Sequence, residues 1–180
     1  MSSPFKDALQ RFTSEVAATY GKRPDDLKII PSSEDIVGFD DQNTGNLIAF
    51  EATAPQLRVR GLASKTAVVL AKKGEYGPLF QAAHALDAAK SMSAQDLAAR
   101  VVWLIGLDTK LVAKVADYPK YPLPDKVTPP TLERNAGGAV LHFYYMLFDS
   151  QTPGAPPTPF SAEVKISSDY KAQLITNPGP

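Results

Sequence analysis

Apolar residues along this chain change rhythm four times. Phe5, Leu9, Phe12, Val16 and Tyr20 recur at helical spacing between an N-capping Ser3, with Pro4 in the first turn, and a stop at Gly21. That pattern predicts one amphipathic helix. Residues 22–34, rich in Pro, Asp and Ser, read as a loop with a short extended piece at 27–30. Apolar runs at 36–39 and 47–53 flank a polar turn at 40–45, which is a hairpin signature. Leu57, Arg58, Val59 and Arg60 alternate strictly, 61–64 can turn, and 66–71 is β-branched and apolar. A second hairpin follows, so up to four strands form an antiparallel meander.

The helical period returns after Pro78. Leu79, Ala83, Leu86 and Lys90 share one stripe, and Ser93 with Asp96 resembles a capping box that opens a helix running to Ile105 and stopped by Gly106. Asp108 is placed to cap a short third helix carrying Leu111, Val112 and Val115, which Pro119 ends. Five prolines in 118–138 each lack an amide donor, so this segment is expected to be an irregular connection. Residues 139–149 are apolar on both parities, as in a strand covered on both faces. A second proline-rich loop at 150–159 precedes an alternating strand at 160–166, a last strand at 171–176 and a frayed tail at 177–180. Helix, meander, helices, meander is the order of an α+β fold. The expectation is a single domain over 1–180: an antiparallel sheet of roughly six to seven strands, with the N-terminal helix and a central group of two to three helices packed on one face.

Composition narrows the function classes. With 180 residues, 44% of them hydrophobic, the chain is long enough to bury a sizeable core unaided. Nineteen basic residues balance nineteen acidic ones, so there is no long-range field to collect nucleic acid, and no nucleic-acid partner is expected. The absence of cysteine removes disulfides, thiolate nucleophiles and thiolate metal sites. No apolar run approaches bilayer length, and the first ten residues lack a basic segment followed by an apolar stretch. A soluble, cytoplasmic protein without a membrane partner is therefore expected.

Familiar catalytic motifs are missing: the chain has no nucleophile elbow, phosphate-binding P-loop, dinucleotide glycine pattern or His-Glu-Xaa-Xaa-His helix, so no cofactor is implied. Residues 40–51 place Asp40, Gly45 and Glu51 at the first, sixth and last positions of a calcium loop. Gln42 and Thr44 bring no charge at the third and fifth positions, and the flanks read as strands, so a hairpin turn is expected and no metal site. His84 and Asp87 stand three apart in the expected helix and could pair. Residues 73–78, with two glycines, join a strand to a helix start, where free amides could hold an anion; a plain turn is the simpler reading.

Two constellations remain as candidate sites. His142, Tyr144 and Tyr145 lie in the aromatic strand and are the acid or base candidates of any catalytic reading. Arg58, Arg60 and Lys65 fall on one parity of the second hairpin, where they could accept a carboxylate or phosphate. Trp103 is expected inside, with Leu97, Val101, Leu104 and Ile105. No convergent catalytic set emerges, so the leading reading is a non-catalytic binding or assembly module. The alternative is an enzyme or carrier acting on a small apolar or anionic molecule in a pocket between sheet and helices. Because helices on one side cover only one parity of 139–149, the other is expected to be buried under the proline-rich loops, in a small-ligand pocket or against a protein partner, with a homodimer ranked first.

Overall fold

The computed structural model describes residues 3–32, 47–113 and 127–178. The expected strand at 36–39, the turn at 40–45 with its calcium-loop pattern, and Val115 with Pro119 lie outside the described residues. Helix α1 spans Pro4–Tyr20. Ser3 Oγ accepts from the Lys6 amide at 3.2 Å, and Gly21 closes the helix at φ +62°. Both boundaries follow from capping chemistry, since the side chain satisfies a first-turn amide and glycine takes the left-handed conformation without strain. Strands β1 (Lys28–Pro31), β2 (Ile48–Ala54), β3 (Leu57–Ala63) and β4 (Val68–Leu70) form an antiparallel sheet in sequence order.

The second hairpin of this sheet turns later than expected. β3 runs straight through Gly61 to Ala63, and the turn falls at 64–67, where Ser64 Oγ accepts from the amides of Thr66 and Ala67 at 3.2 and 3.1 Å. Gly61 is therefore not a turn glycine. It lies under α1, and a Cβ there would meet Phe12 and Leu70.

The central helices are α2 (Gly77–Ala82) and α3 (Ala94–Ile105). The expected stripe extends to Lys90, yet α2 ends after Ala82 in a Schellman motif: the Ala85 amide donates to Phe80 O at 3.0 Å, the His84 amide donates to Gln81 O at 3.1 Å, and His84 takes φ +53°. The expected His84–Asp87 pair on a helix face does not form. His84 is in the left-handed position, and Asp87 Oδ1 accepts from the Ala89 amide at 2.9 Å. α3 begins as expected, with Ser93 Oγ accepting from the Asp96 amide at 3.1 Å and facing Asp96 Oδ2 at 2.8 Å.

Among the described residues, Asp108 opens no helix, and the expected helical positions Leu111 and Val112 are extended. Thr109–Val112 is strand β5, held to the helix end by Thr109 Oγ1, which lies 2.8 Å from Val102 O and 2.6 Å from Gly106 O. The cap residue is itself drawn into the pairing, since Asp108 O accepts from the Phe148 amide at 2.7 Å. The proline-rich segment also contains structure that its composition hides: β6 (Thr131–Asn135) pairs with β7 (Gly138–Leu147) through a tight turn. With β8 (Thr158–Ser167) and β9 (Ala172–Pro178) these make a second antiparallel sheet, in which β5 and β6 share one edge of β7 and β8 and β9 follow on the other. Pairing of β9 to β8 extends to Pro178, into the expected tail.

Among the described residues the architecture is thus α+β with two sheets, of four and five strands, where one of six to seven was expected. The layers run α1, first sheet, α2 with α3, second sheet. Ala8, Phe12 and Val16 of α1 pack on Phe50, Ala52, Val59 and Leu70, with the Phe12 and Phe50 rings stacked at 5.3 Å. The opposite parity, Leu47, Ala49, Leu62 and Val69, meets Leu79 and Phe80 of α2, Leu97, Val101 and Leu104 of α3, and the inner face of the second sheet, Leu141, Phe143, Tyr145, Val164 and Ile166. Each Val, Leu, Ile or Phe among them taken out of water contributes about 1.5 to 3 kcal/mol before chain entropy is counted. Sandwiched between sheets, α3 buries nearly its whole circumference: Leu97, Ala98, Val101, Val102, Trp103 and Leu104. Helices therefore cover one face of the second sheet and both faces of the first. Among the described residues no helix is long and apolar enough to cross a membrane.

Candidate functional site

Strand β7 is the centre of the second sheet, and its two parities have different fates. Ala139, Leu141, Phe143 and Tyr145 face the helices and are buried, while on the other parity Val140, His142 and Tyr144 stay half-buried and Met146, at the β5 end, is fully buried. Register fixes what stands beside them. One row across the strands reads Glu133, Val140, Lys165, Gln173; the next reads Thr131, His142, Glu163, Ile175; a third reads Tyr144, Ser161, Asn177. This outer face holds two shallow depressions that run across neighbouring strands. One, of about 460 Å³, is lined by Thr131, Glu133, His142, Tyr144, Ser161 and Glu163; the other, of about 560 Å³, by Asn135, Val140, Lys165, Lys171 and Gln173.

Within the first depression His142 Nδ1 lies 3.3 Å from Glu163 Oε1. Both side chains are more than a third exposed, at 39% and 37%, so water competes for the pair and its strength is that of a surface contact. Such a pair can orient an imidazole, accept or donate hydrogen bonds and carry a charge that a partner can read. Of the three catalytic candidates the structure brings His142 and Tyr144 together and separates Tyr145. That ring points inward, stacks on Phe160 at 5.2 Å, and has its phenol pKa raised by burial against a smaller opposing effect of its hydrogen bond with Thr176. Adjacent strand residues face opposite sides of a sheet, so a joint acid–base role for Tyr144 and Tyr145 is excluded by geometry. Among the described residues no group of three His, Cys, Asp or Glu side chains is arranged to hold a metal ion.

The basic cluster divides as well. Arg58 and Arg60 lie on the α3 side of the first sheet, whereas Lys65 is in the β3–β4 turn beside α1, where its carbonyl accepts from Arg11 Nε at 2.8 Å. Repulsion between the two arginines is offset by Glu51, which stands across from Arg60 in β2. Arg58 Nε donates to Glu51 Oε1 at 2.7 Å, and Arg60 Nε lies 3.6 Å from Oε2. The Arg60 guanidinium is also 5.0 Å from the centroid of the Trp103 ring, a cation–π contact between sheet and helix. Residues 73–78 join β4 to α2. Gly74 closes a 3₁₀ turn at φ +68°, Lys73 pairs with Glu15 of α1, and Gly77 packs against the Tyr170 carbonyl.

Glu163 and Thr131 beside His142, Ser161 beside Tyr144, and Glu51 beside the arginines are the site residues that sequence reasoning missed. The polar parity of 160–166 marks Ser161 and Glu163 as outward-facing, but only the β7–β8 register places them next to Tyr144 and His142. Comparison with known proteins finds no matching family model, no matching curated protein and no matching solved structure.

Proposed function

We propose that this protein is a non-catalytic binding and assembly module that uses the outer face of its second sheet to dock a second copy of itself. The observation that supports the reading is the breadth and composition of that face. Half-buried Val140, Tyr144 and Ile175 alternate with Thr131, Glu133, His142, Glu163, Lys165 and Gln173 over adjoining strands. A mixed polar and aromatic surface of this kind suits a protein partner that assembles and dissociates, whereas a small-molecule site is an enclosed pocket with a few convergent polar groups.

Charge placement favours a copy of the same chain. Lys165 and Glu163 occupy successive rows of β8. A two-fold axis lying in the interface and running across the strands between these rows sets each Lys165 over the partner's Glu163, and the same operation sets Val140 over the partner's His142. An isologous contact of this sort closes at two copies. Because the ion pairs lie at a partly solvated interface, added salt weakens the dimer.

Light scattering across micromolar concentrations tests the reading. The expected result is a mass rising toward twice that of the chain, falling back as salt is added, and remaining at one chain mass in Tyr144→Glu with an unchanged melting temperature. A single chain mass at every concentration, or dimerisation of Tyr144→Glu equal to that of the original sequence, contradicts it.

A further inference from the structure

A groove of about 280 Å³ lies between β3 and the C-terminal end of α3, and its lining includes Tyr20, Arg58, Arg60, Leu104, Ile105 and Asp108. We propose that this groove is a binding site for a small monocarboxylate with an apolar body. Its volume is near the lower end of small-molecule sites, which suits a ligand of on the order of ten heavy atoms.

Arg58 is the anchoring group. Its side chain is 55% exposed, and Glu51, only 13% exposed, fixes its Nε at 2.7 Å. The two terminal amino groups of Arg58 make no hydrogen bond to another described residue. A guanidinium held by its Nε presents the remaining fork of two donors, the geometry that takes a carboxylate in two parallel bonds. Because the side chain is already ordered by Glu51, less rotamer freedom is lost when a ligand arrives.

The walls determine the rest of the ligand. Leu104 and Ile105 are apolar, and Tyr20, beneath the Lys72 ammonium at 4.7 Å, lines the groove together with them. Burial raises the Tyr20 pKa, so its phenol stays protonated and able to donate at neutral pH. Asp108 stands at the rim, where its Oδ2 accepts from Ser150 Oγ at 3.1 Å. That carboxylate repels a second negative charge, which selects one carboxylate over two. Arg60, stacked on Trp103, joins the groove to the sole tryptophan of the chain.

Trp103 emission of the full chain, followed as hexanoate is added to millimolar concentrations, tests the proposal. A saturable change is expected with hexanoate, a weaker one with adipate and none with hexan-1-ol. Arg58→Gln and Arg58→Lys should each weaken hexanoate binding, Arg58→Gln by about tenfold, the loss of one charge-assisted pair. Lys165→Gln, on the outer face of the second sheet, should bind as the original sequence does, which separates this site from the docking face. No saturable response to hexanoate overturns the proposal, as does an equal response to hexan-1-ol or unchanged binding in both Arg58 variants.

Discussion

A Cβ built on Gly61 would stand 2.6 Å from Leu70 Cδ2, 2.6 Å from Phe12 Cε2 and 2.8 Å from the Val69 carbonyl oxygen. The first two neighbours are core side chains and the third is backbone, so none can withdraw cheaply. Gly61→Ala should therefore destabilise the fold by about 1 to 3 kcal/mol, read as a lower midpoint in denaturant, through overpacking between α1 and the first sheet. An unchanged midpoint would show that α1 can ride further out. Tyr76 provides a second test at the same scale. Its side chain is 1% exposed, and burial pushes its pKa up to about 12 from 10.0. The phenol ionises earlier in the unfolded chain, so between these values the unfolded state holds fewer protons and stability falls as pH rises through about 10 toward 12, by on the order of 2 kcal/mol. Chemical denaturation over that range should show a shallower alkaline loss in Tyr76→Phe; equal slopes would mean that Tyr76 titrates normally.

At the scale of elements, capping chemistry decides most of what can be read in advance. Ser3, Gly21, Ser93 and Gly106 bound α1 and α3 where their residue types demand, because a cap acts within one turn and needs no tertiary partner. Ser93→Ala should remove about 1 kcal/mol, seen as a drop in melting temperature without change in the folded spectrum. A loss near zero would mean that burial of Leu97 and Val101 alone holds the helix start. Elements whose identity depends on distant pairing are hidden in the sequence. Thr109–Val112 is a strand because β7 offers it an edge, although Asp108 followed by Leu111 and Val112 suits a helix equally well. Thr131–Asn135 is concealed by the prolines before it, which interrupt amide donors only up to Pro130. The helical stripe to Lys90 fails at His84, which adopts φ +53° despite its side chain. Site residues divide along the same line. His142 and Tyr144 can be named from their strand, but their neighbours Glu163 and Ser161 follow from inter-strand register, which no local pattern supplies.

At the scale of the molecule, the number of sheets follows from how much apolar surface must be covered. Residues 97–105 are apolar on almost every side, and residues 47–50, leading into β2, are apolar on both parities; both features call for a neighbour on each face. Placing α2 and α3 between two sheets satisfies them together and leaves one large face without a helix over it among the described residues. On the present account that face meets a second copy. An isotope-filtered nuclear Overhauser measurement on an equal mixture of carbon-13-labelled and unlabelled chains at dimerising concentration tests this directly. The account predicts intermolecular cross-peaks from the Val140 methyl groups, the Tyr144 ring and Ile175, and none from Leu141 or Phe143. Intermolecular cross-peaks arising instead from the exposed apolar residues Phe5 or Ile30, or no intermolecular cross-peaks at all, would contradict it.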